Sequence, residues 1–197
     1  MTADAHPVVH VLTVSGSLRA ASANGAVLDA VTALAPPSVR VTRFDGLADL
    51  PAFNPDLDGE GAVPSPAVAR WRAAIAETDA LVICSPEYAH GVPGALKNAL
   101  DWLVSGPDVP GLPVAVVNAT TRAHHAHDAL IETLRTMSAL VVEGASVRLP
   151  LTPAQKTAAA ILADPGVSAL LAGGLGALLE AVTAAERVHG PGHSGVP

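Results

Sequence analysis

The stretch VVHVLTVSGSLRAASAN, residues 8–24, decides the fold. Val8 to Val14 is short, apolar and rich in β-branched side chains, which fit a pleated sheet. It is too short for a helix and apolar at nearly every position, so it reads as a strand buried on both faces. Ser15-Gly16-Ser17 is a turn signal. From Ser22 to Ala35 the residues Val27, Leu28, Val31 and Leu34 recur at helical spacing, and Pro36-Pro37 stops the run. Buried strand, tight turn and helix form the opening of a βαβ unit.

The same alternation continues along the chain. Residues 39–44 read as a second strand at an edge. A long connection follows from Gly46 to Pro66, holding Pro51, Pro55, Pro64 and Pro66. A loop of that length in a compact domain is functional or packed on a partner. Further expected elements are a helix over 66–78, a strand over 79–85, a helix over 93–104 and a strand over 113–118. A helix over 126–139, a weaker fifth strand over 140–147 and helices over 152–162 and 167–188 complete the pattern. Strands alternating with helices imply right-handed crossovers and a parallel sheet covered on both faces. The expected fold is a single α/β domain over residues 1–197, flavodoxin-like and doubly wound. Its five parallel strands take the order 2-1-3-4-5, with helices on both faces and residues 1–7 and 190–197 as disordered tails. In such a sheet a ligand binds outside the carboxyl ends of strands 1 and 3.

Composition narrows the function classes. Half of the 197 residues are apolar and 15% are charged, which excludes a disordered chain. Cys84 is the only cysteine, which excludes a disulfide scaffold. The net charge of −7 disfavours nucleic acid and anionic membrane as partners. The longest apolar window, Val167 to Val182, contains Gly173, Gly174 and Gly176 and reads as a core helix rather than a membrane span. Residues 1–7 show no basic segment leading into an apolar one, so a cytoplasmic location is expected.

Two loops fall at the expected ligand site. After strand 1, Ser15 to Asn24 places hydroxyls, Arg19 and Asn24 around a helix start. Backbone N–H groups there favour an anion, Ser17 and Ser22 add hydroxyls, Asn24 an amide and Arg19 a charge. This is a cradle for a phosphate monoester built largely from neutral donors. A P-loop is excluded because no lysine precedes Lys97, and a dinucleotide fingerprint because Gly16 stands alone. After strand 3, Ser85 to Gly94 (SPEYAHGVPG) is stiffened by two prolines and carries Tyr88, the only tyrosine. A shaped loop beside a phosphate cradle suits a planar ring with a phosphorylated tail, which describes flavin mononucleotide.

Together GSLRAASAN (16–24) and PEYAHGVPGALKNALDWL (86–103), with the weaker LPAFNPD (50–56), resemble the NADPH-dependent FMN reductase family over about residues 8 to 150. These flavodoxin-like proteins include chromate, quinone and azo-dye reductases. The resemblance implies FMN as cofactor, with Ser17, Arg19, Ser22, Ala23 and Asn24 at its phosphate. It also implies Glu87, Tyr88, Ala89, His90 and Thr120 along its ring. It implies transfer of a hydride from NADPH or NADH through the flavin to a small acceptor: a quinone, free flavin, azo compound or metal oxyanion. No catalytic side chain is required, because the chemistry belongs to the cofactor. The alternatives are an electron carrier of the flavodoxin type or a non-catalytic flavin-binding protein. A homodimer or homotetramer is implied, with the loop near Asn54 and the helix from Pro93 near its interface.

The chain departs from the family pattern twice. Ala89 stands where an asparagine is common. After strand 4 a glycine-rich turn is replaced by TTRAHHAH (120–127), which makes Arg122 and His124 candidates for binding an anionic substrate. The histidines there lack a companion ligand cluster, so no metal is expected. Cys84 has no arginine six residues on, as a phosphatase loop would, and reads as a small apolar residue of strand 3.

Overall fold

The computed structural model describes residues 8–59 and 61–189. The tails expected at 1–7 and 190–197 lie outside the described residues. β1 (Val9–Ser15), β2 (Val39–Phe44), β3 (Ala80–Cys84), β4 (Pro113–Val117) and β5 (Leu140–Val141) form one sheet in the order β2-β1-β3-β4-β5. Every strand pair is parallel, with Val11 opposite both Val41 and Ala80, and Leu81 opposite Val114. The helices are α1 (Ala23–Leu34), α2 (Pro66–Ala76), α3 (Gly94–Asp101), α4 (His125–Thr136), α5 (Ala158–Leu162) and α6 (Pro165–His189).

The near-continuous apolar runs in the strands are explained by two cores, because successive side chains alternate between faces. Leu12, Val14, Leu81, Ile83, Val114 and Val116 point to one face and pack with Trp71, Leu100, Trp102 and Leu130 of α2, α3, α4 and their flanks. Val11, Val82, Cys84, Ala115 and Val117 point to the other and pack with Val27, Val31, Ile161, Leu171 and Leu178 of α1, α5 and α6. Leu96, Leu100 and Leu103, in the segment expected near a subunit interface, are buried within the chain.

Two expectations change, and a third, the core helix near the C-terminus, holds. The fifth strand pairs over only Leu140–Val141. A single 3-10 turn over Glu143–Ala145 breaks it, held close under α6, where a Cβ on Gly174 would stand 3.3 Å from the Ala145 carbonyl oxygen. The ladder resumes as one bridge between Asn118 and Arg148. The helix expected over 152–162 begins only at Ala158, because Thr157 is its N-cap: Thr157 Oγ1 accepts the Ala160 N–H at 3.2 Å. Residues 152–157 form a loop instead. Finally, residues 165–185 are long and apolar enough to span a bilayer by length and composition alone. Val167, Leu171, Leu175, Leu178 and Val182 are spent on the core beside the sheet, as a core helix requires.

The long connection packs on α3 of its own chain. Asn98 Oδ1 accepts the Phe53 N–H at 2.7 Å, and Asn98 Nδ2 and Trp102 Nε1 both donate to the Pro51 carbonyl at 2.9 Å. Farther along, Arg72 pairs with Asp58, whose other oxygen accepts the Ser105 hydroxyl at 2.7 Å. Burial raises the Asp58 pKa, but the Ser105 and Arg72 hydrogen bonds and the Arg72 charge outweigh it. The carboxyl is held below the usual range.

Candidate functional site

The loops after β1, β3 and β4 meet at the carboxyl edge of the sheet. Gly16 continues the ladder there, its N–H donating to the Cys84 carbonyl at 2.9 Å. A Cβ on Gly16 would lie 2.5 Å from Ser85 Oγ and 3.0 Å from Ser85 Cβ, so only glycine lets the two loops cross this closely. Ser15 Oγ then accepts the Ser17 N–H at 3.2 Å and donates to the Ser17 carbonyl at 3.0 Å. Ser17 Oγ accepts the Arg19 N–H at 3.3 Å. These short-range bonds fold residues 15–19 back over the strand end.

Ser22 is the N-cap of α1, its Oγ accepting the Gly25 N–H at 3.0 Å. The N–H groups of Ala23 and Asn24, in the first turn, have no intrahelical acceptor. Asn24 is 6% exposed, and its Oδ1 faces the Cys84 thiol at 3.4 Å. Burial pushes that thiol far above its ordinary pKa, so it stays protonated and donates. Asn24 Oδ1 is thereby engaged, leaving the NH2 group for the cleft.

That cleft has a volume of about 540 Å³, and its wall includes Ser17, Arg19, Ser22, Asn24, Tyr88 and Lys156. Arg19 also borders a neighbouring hollow of about 300 Å³ with Leu18, Tyr88 and Pro93. Among the described residues no carboxylate pairs with the Arg19 guanidinium. Unpaired N–H groups, an amide NH2 and a free guanidinium on one cleft make a donor set that fits a phosphate monoester. Tyr88 is 52% exposed and joins the two hollows, which fits the flat face of a ring system.

The loop after β3 contains a tight hairpin. Tyr88 N–H donates to the Gly91 carbonyl at 3.1 Å and Gly91 N–H to the Tyr88 carbonyl at 2.9 Å. Its two central residues, Ala89 and His90, have φ of 49° and 60°. A two-residue turn with both centres left-handed favours asparagine and glycine, and other L-residues are strained there. Ala89→Gly is therefore expected to raise stability by about 0.5–1 kcal/mol. A urea midpoint unchanged or lowered by this substitution would show that the turn carries no such strain.

Glu87 turns away from the cleft: its Oε2 accepts the Ala126 N–H at 2.9 Å and caps α4, whose N-cap residue His124 makes no side-chain cap. On the β4 side, Asn118 organises the turn. Its Oδ1 accepts the Thr120 N–H at 3.0 Å and its Nδ2 donates to the Ala123 carbonyl at 2.6 Å. Thr120 Oγ1 accepts the Arg122 N–H at 3.2 Å. Thr120, Arg122 and His124 stand on this adjoining loop, outside the wall of the large cleft. His90 stacks on His125, with ring centroids 4.4 Å apart, and the His124 ring meets His125 at a tilt, 4.2 Å away. Among the described residues no three His, Cys, Asp or Glu side chains gather as metal ligands. His127 is half-buried, and its Nδ1 is enclosed without a hydrogen-bond partner among the described residues. Burial holds its pKa below the ordinary imidazole value, against the pull of Asp128 and with help from Arg148.

Sequence reasoning missed Asn118, Gln155 and Lys156. Asn118 had a local signal, an asparagine ending a strand two residues before a threonine. Gln155 and Lys156 had none, since their segment read as helix.

A five-stranded parallel sheet in this order, with a donor-lined cleft at its β1 and β3 ends, defines a flavodoxin-like α/β protein. The chain belongs to the NADPH-dependent FMN reductase family, whose model matches residues 9–152. It is 40% identical over 110 residues to the quinone reductase of Escherichia coli K12, covering 55% of this chain and 58% of that protein. It is 39% identical over 114 residues to the NAD(P)H-dependent FMN reductase PA1204 of Pseudomonas aeruginosa, covering 57% and 60%. The match thus spans less than two thirds of these relatives' length. Among solved structures, the flavoenzyme NAD(P)H:(acceptor) oxidoreductase FerB of Paracoccus denitrificans superposes with a TM-score of 0.70. The two are 23% identical over 90% of this chain and 98% of that one, a likeness of fold.

Proposed function

We propose that this protein is an FMN-dependent NAD(P)H oxidoreductase acting on a small acceptor such as a quinone, an azo compound, free flavin or a metal oxyanion. The observation that carries the proposal is the cleft in which Ser17, Arg19, Ser22 and Asn24 share a wall with Tyr88. Family membership and relatives named as quinone and FMN reductases support it. The residues of 17–24 hold the phosphate, and the loop of Tyr88, Ala89 and His90 lines the ring. Bound FMN supplies reversible two-electron transfer between NAD(P)H and the acceptor.

The chain's own work is to seat the ring and leave one face open. Ser17 and Asn24 are buried and rigidly held, so the phosphate end is preorganised. Tyr88 is the one aromatic among the residues lining the cleft, so no second ring shields the opposite face. That favours an enzyme over an electron carrier. Glu87, spent on capping α4, holds the Tyr88 loop against the Thr120 loop. Arg122 and His124, on the adjoining loop outside the cleft wall, are assigned to an anionic substrate. We further place the protein in the cytoplasm as a homodimer or homotetramer, without nucleic-acid or membrane partners.

The test is a visible spectrum after adding FMN and removing the excess, followed by NADPH without oxygen. Retained flavin bands that bleach are the expected result. Retained bands that persist with both NADPH and NADH would make the protein a carrier, and loss of the bands would remove the flavin assignment.

A further inference from the structure

Residues 152–157 close one side of the large cleft as a fastened loop. Gln155 is 9% exposed, and its Oε1 accepts the Thr152 N–H at 2.7 Å and the Thr152 hydroxyl at 3.0 Å. Its Nε2 donates to Asp164 Oδ2 at 3.3 Å. Asp164 Oδ1 in turn accepts the N–H groups of Gly166 and Val167, at 3.0 and 3.2 Å, at the start of α6. The loop is thereby tied to the longest helix of the core. Its next residue, Lys156, lines the same cleft as Ser17, Arg19, Ser22 and Asn24. Lys156 is exposed, and no carboxylate among the described residues pairs with it. The family model ends at residue 152, so Gln155 and Lys156 lie beyond the matched segment.

Charge decides what Lys156 does there. A phosphate monoester carries about −1.5 to −2 at pH 7. The cradle of residues 17–24 supplies one cation, Arg19, and otherwise neutral donors. A dianion held by one guanidinium leaves close to one negative charge uncompensated in a partly enclosed cleft, where solvent screens it less. We propose that Lys156 is the second cation for the phosphate of bound flavin mononucleotide, held in place by the Gln155 network. The inference rests on the FMN reading above. Lys156 touches the ligand's tail and takes no part in electron transfer.

The experiment is titration of the flavin-free protein with FMN and with riboflavin, followed by flavin fluorescence, for wild type, Lys156→Gln and Lys156→Arg. Lys156→Gln is expected to weaken FMN about tenfold and to leave riboflavin unchanged, with Lys156→Arg restoring FMN. The FMN affinity of Lys156→Gln is also expected to fall less steeply with salt. FMN bound equally well by wild type and Lys156→Gln would overturn the inference and leave the flavin assignment standing. Equal losses for FMN and riboflavin would also overturn it, since the side chain would then act by packing. A raised KM for NADPH with unchanged FMN affinity would overturn it too, moving Lys156 to the dinucleotide. Failure of the wild type to bind FMN would remove both readings.

Discussion

Trp102→Ala is expected to cost about 3–5 kcal/mol of folding stability. Trp102 is 2% exposed in the core beneath α2 and α3, where the Phe53 ring meets it edge-on at a centroid distance of 5.1 Å. Truncation opens a large cavity between well-packed neighbours, and the cost adds the lost transfer energy to that of the void. A second loss accompanies it. The indole N–H donates to the Pro51 carbonyl at 2.9 Å and helps anchor the long connection to α3. Small domains are stable by about 5–15 kcal/mol, so the variant gives up about a fifth or more of the total. Trp102→Phe separates the two contributions. It keeps most of the ring and removes the donor, while Asn98 Nδ2 still serves Pro51, so about 1–2 kcal/mol is expected. Urea unfolding followed by circular dichroism measures both. A loss under 1 kcal/mol for Trp102→Ala would mean that the long connection repacks freely and that α3 does not depend on it.

Arg19→Ala is expected to weaken FMN binding by about ten- to a hundredfold, the value of a charge-assisted hydrogen bond of about 1.5–3 kcal/mol. Riboflavin, which lacks the phosphate, is expected to bind both proteins equally. Arg19 is exposed and its guanidinium is unpaired among the described residues, so stability is expected to be unchanged. Arg19→Lys is expected to recover only part of the affinity, because an ammonium cannot offer the planar pair of donors. Parallel calorimetric titrations with the two flavins decide the matter. Equal losses for FMN and riboflavin would place Arg19 against the ring, and no loss would remove it from the site.

Much of the site was legible because its signals are local. Ser15 to Asn24 folds through bonds reaching two or three residues, such as Ser15 to Ser17 and Ser22 to Gly25, which residue type and spacing announce. The hairpin at Ala89 and His90 was not legible: neither residue prefers positive φ, and the surrounding loop imposes it. Glu87 read as part of the ring site, yet its carboxylate caps α4, a partner 39 residues away.

The sequence by itself determined the strand order, both faces of the sheet and the loops that meet at its carboxyl edge. Alternating apolar strands and helices admit few right-handed arrangements, and their carboxyl ends converge at one edge. Only the tertiary structure decided the shortened fifth strand, the packing of the long connection on α3 and the loop that carries Lys156 to the cleft. Each depends on contacts between distant segments. Glu143–Ala145 bends under Gly174, Pro51 meets Trp102, and Gln155 bonds Asp164 rather than continuing a helix. Local propensity is a small energy, and a buried hydrogen bond or a close backbone contact overrides it.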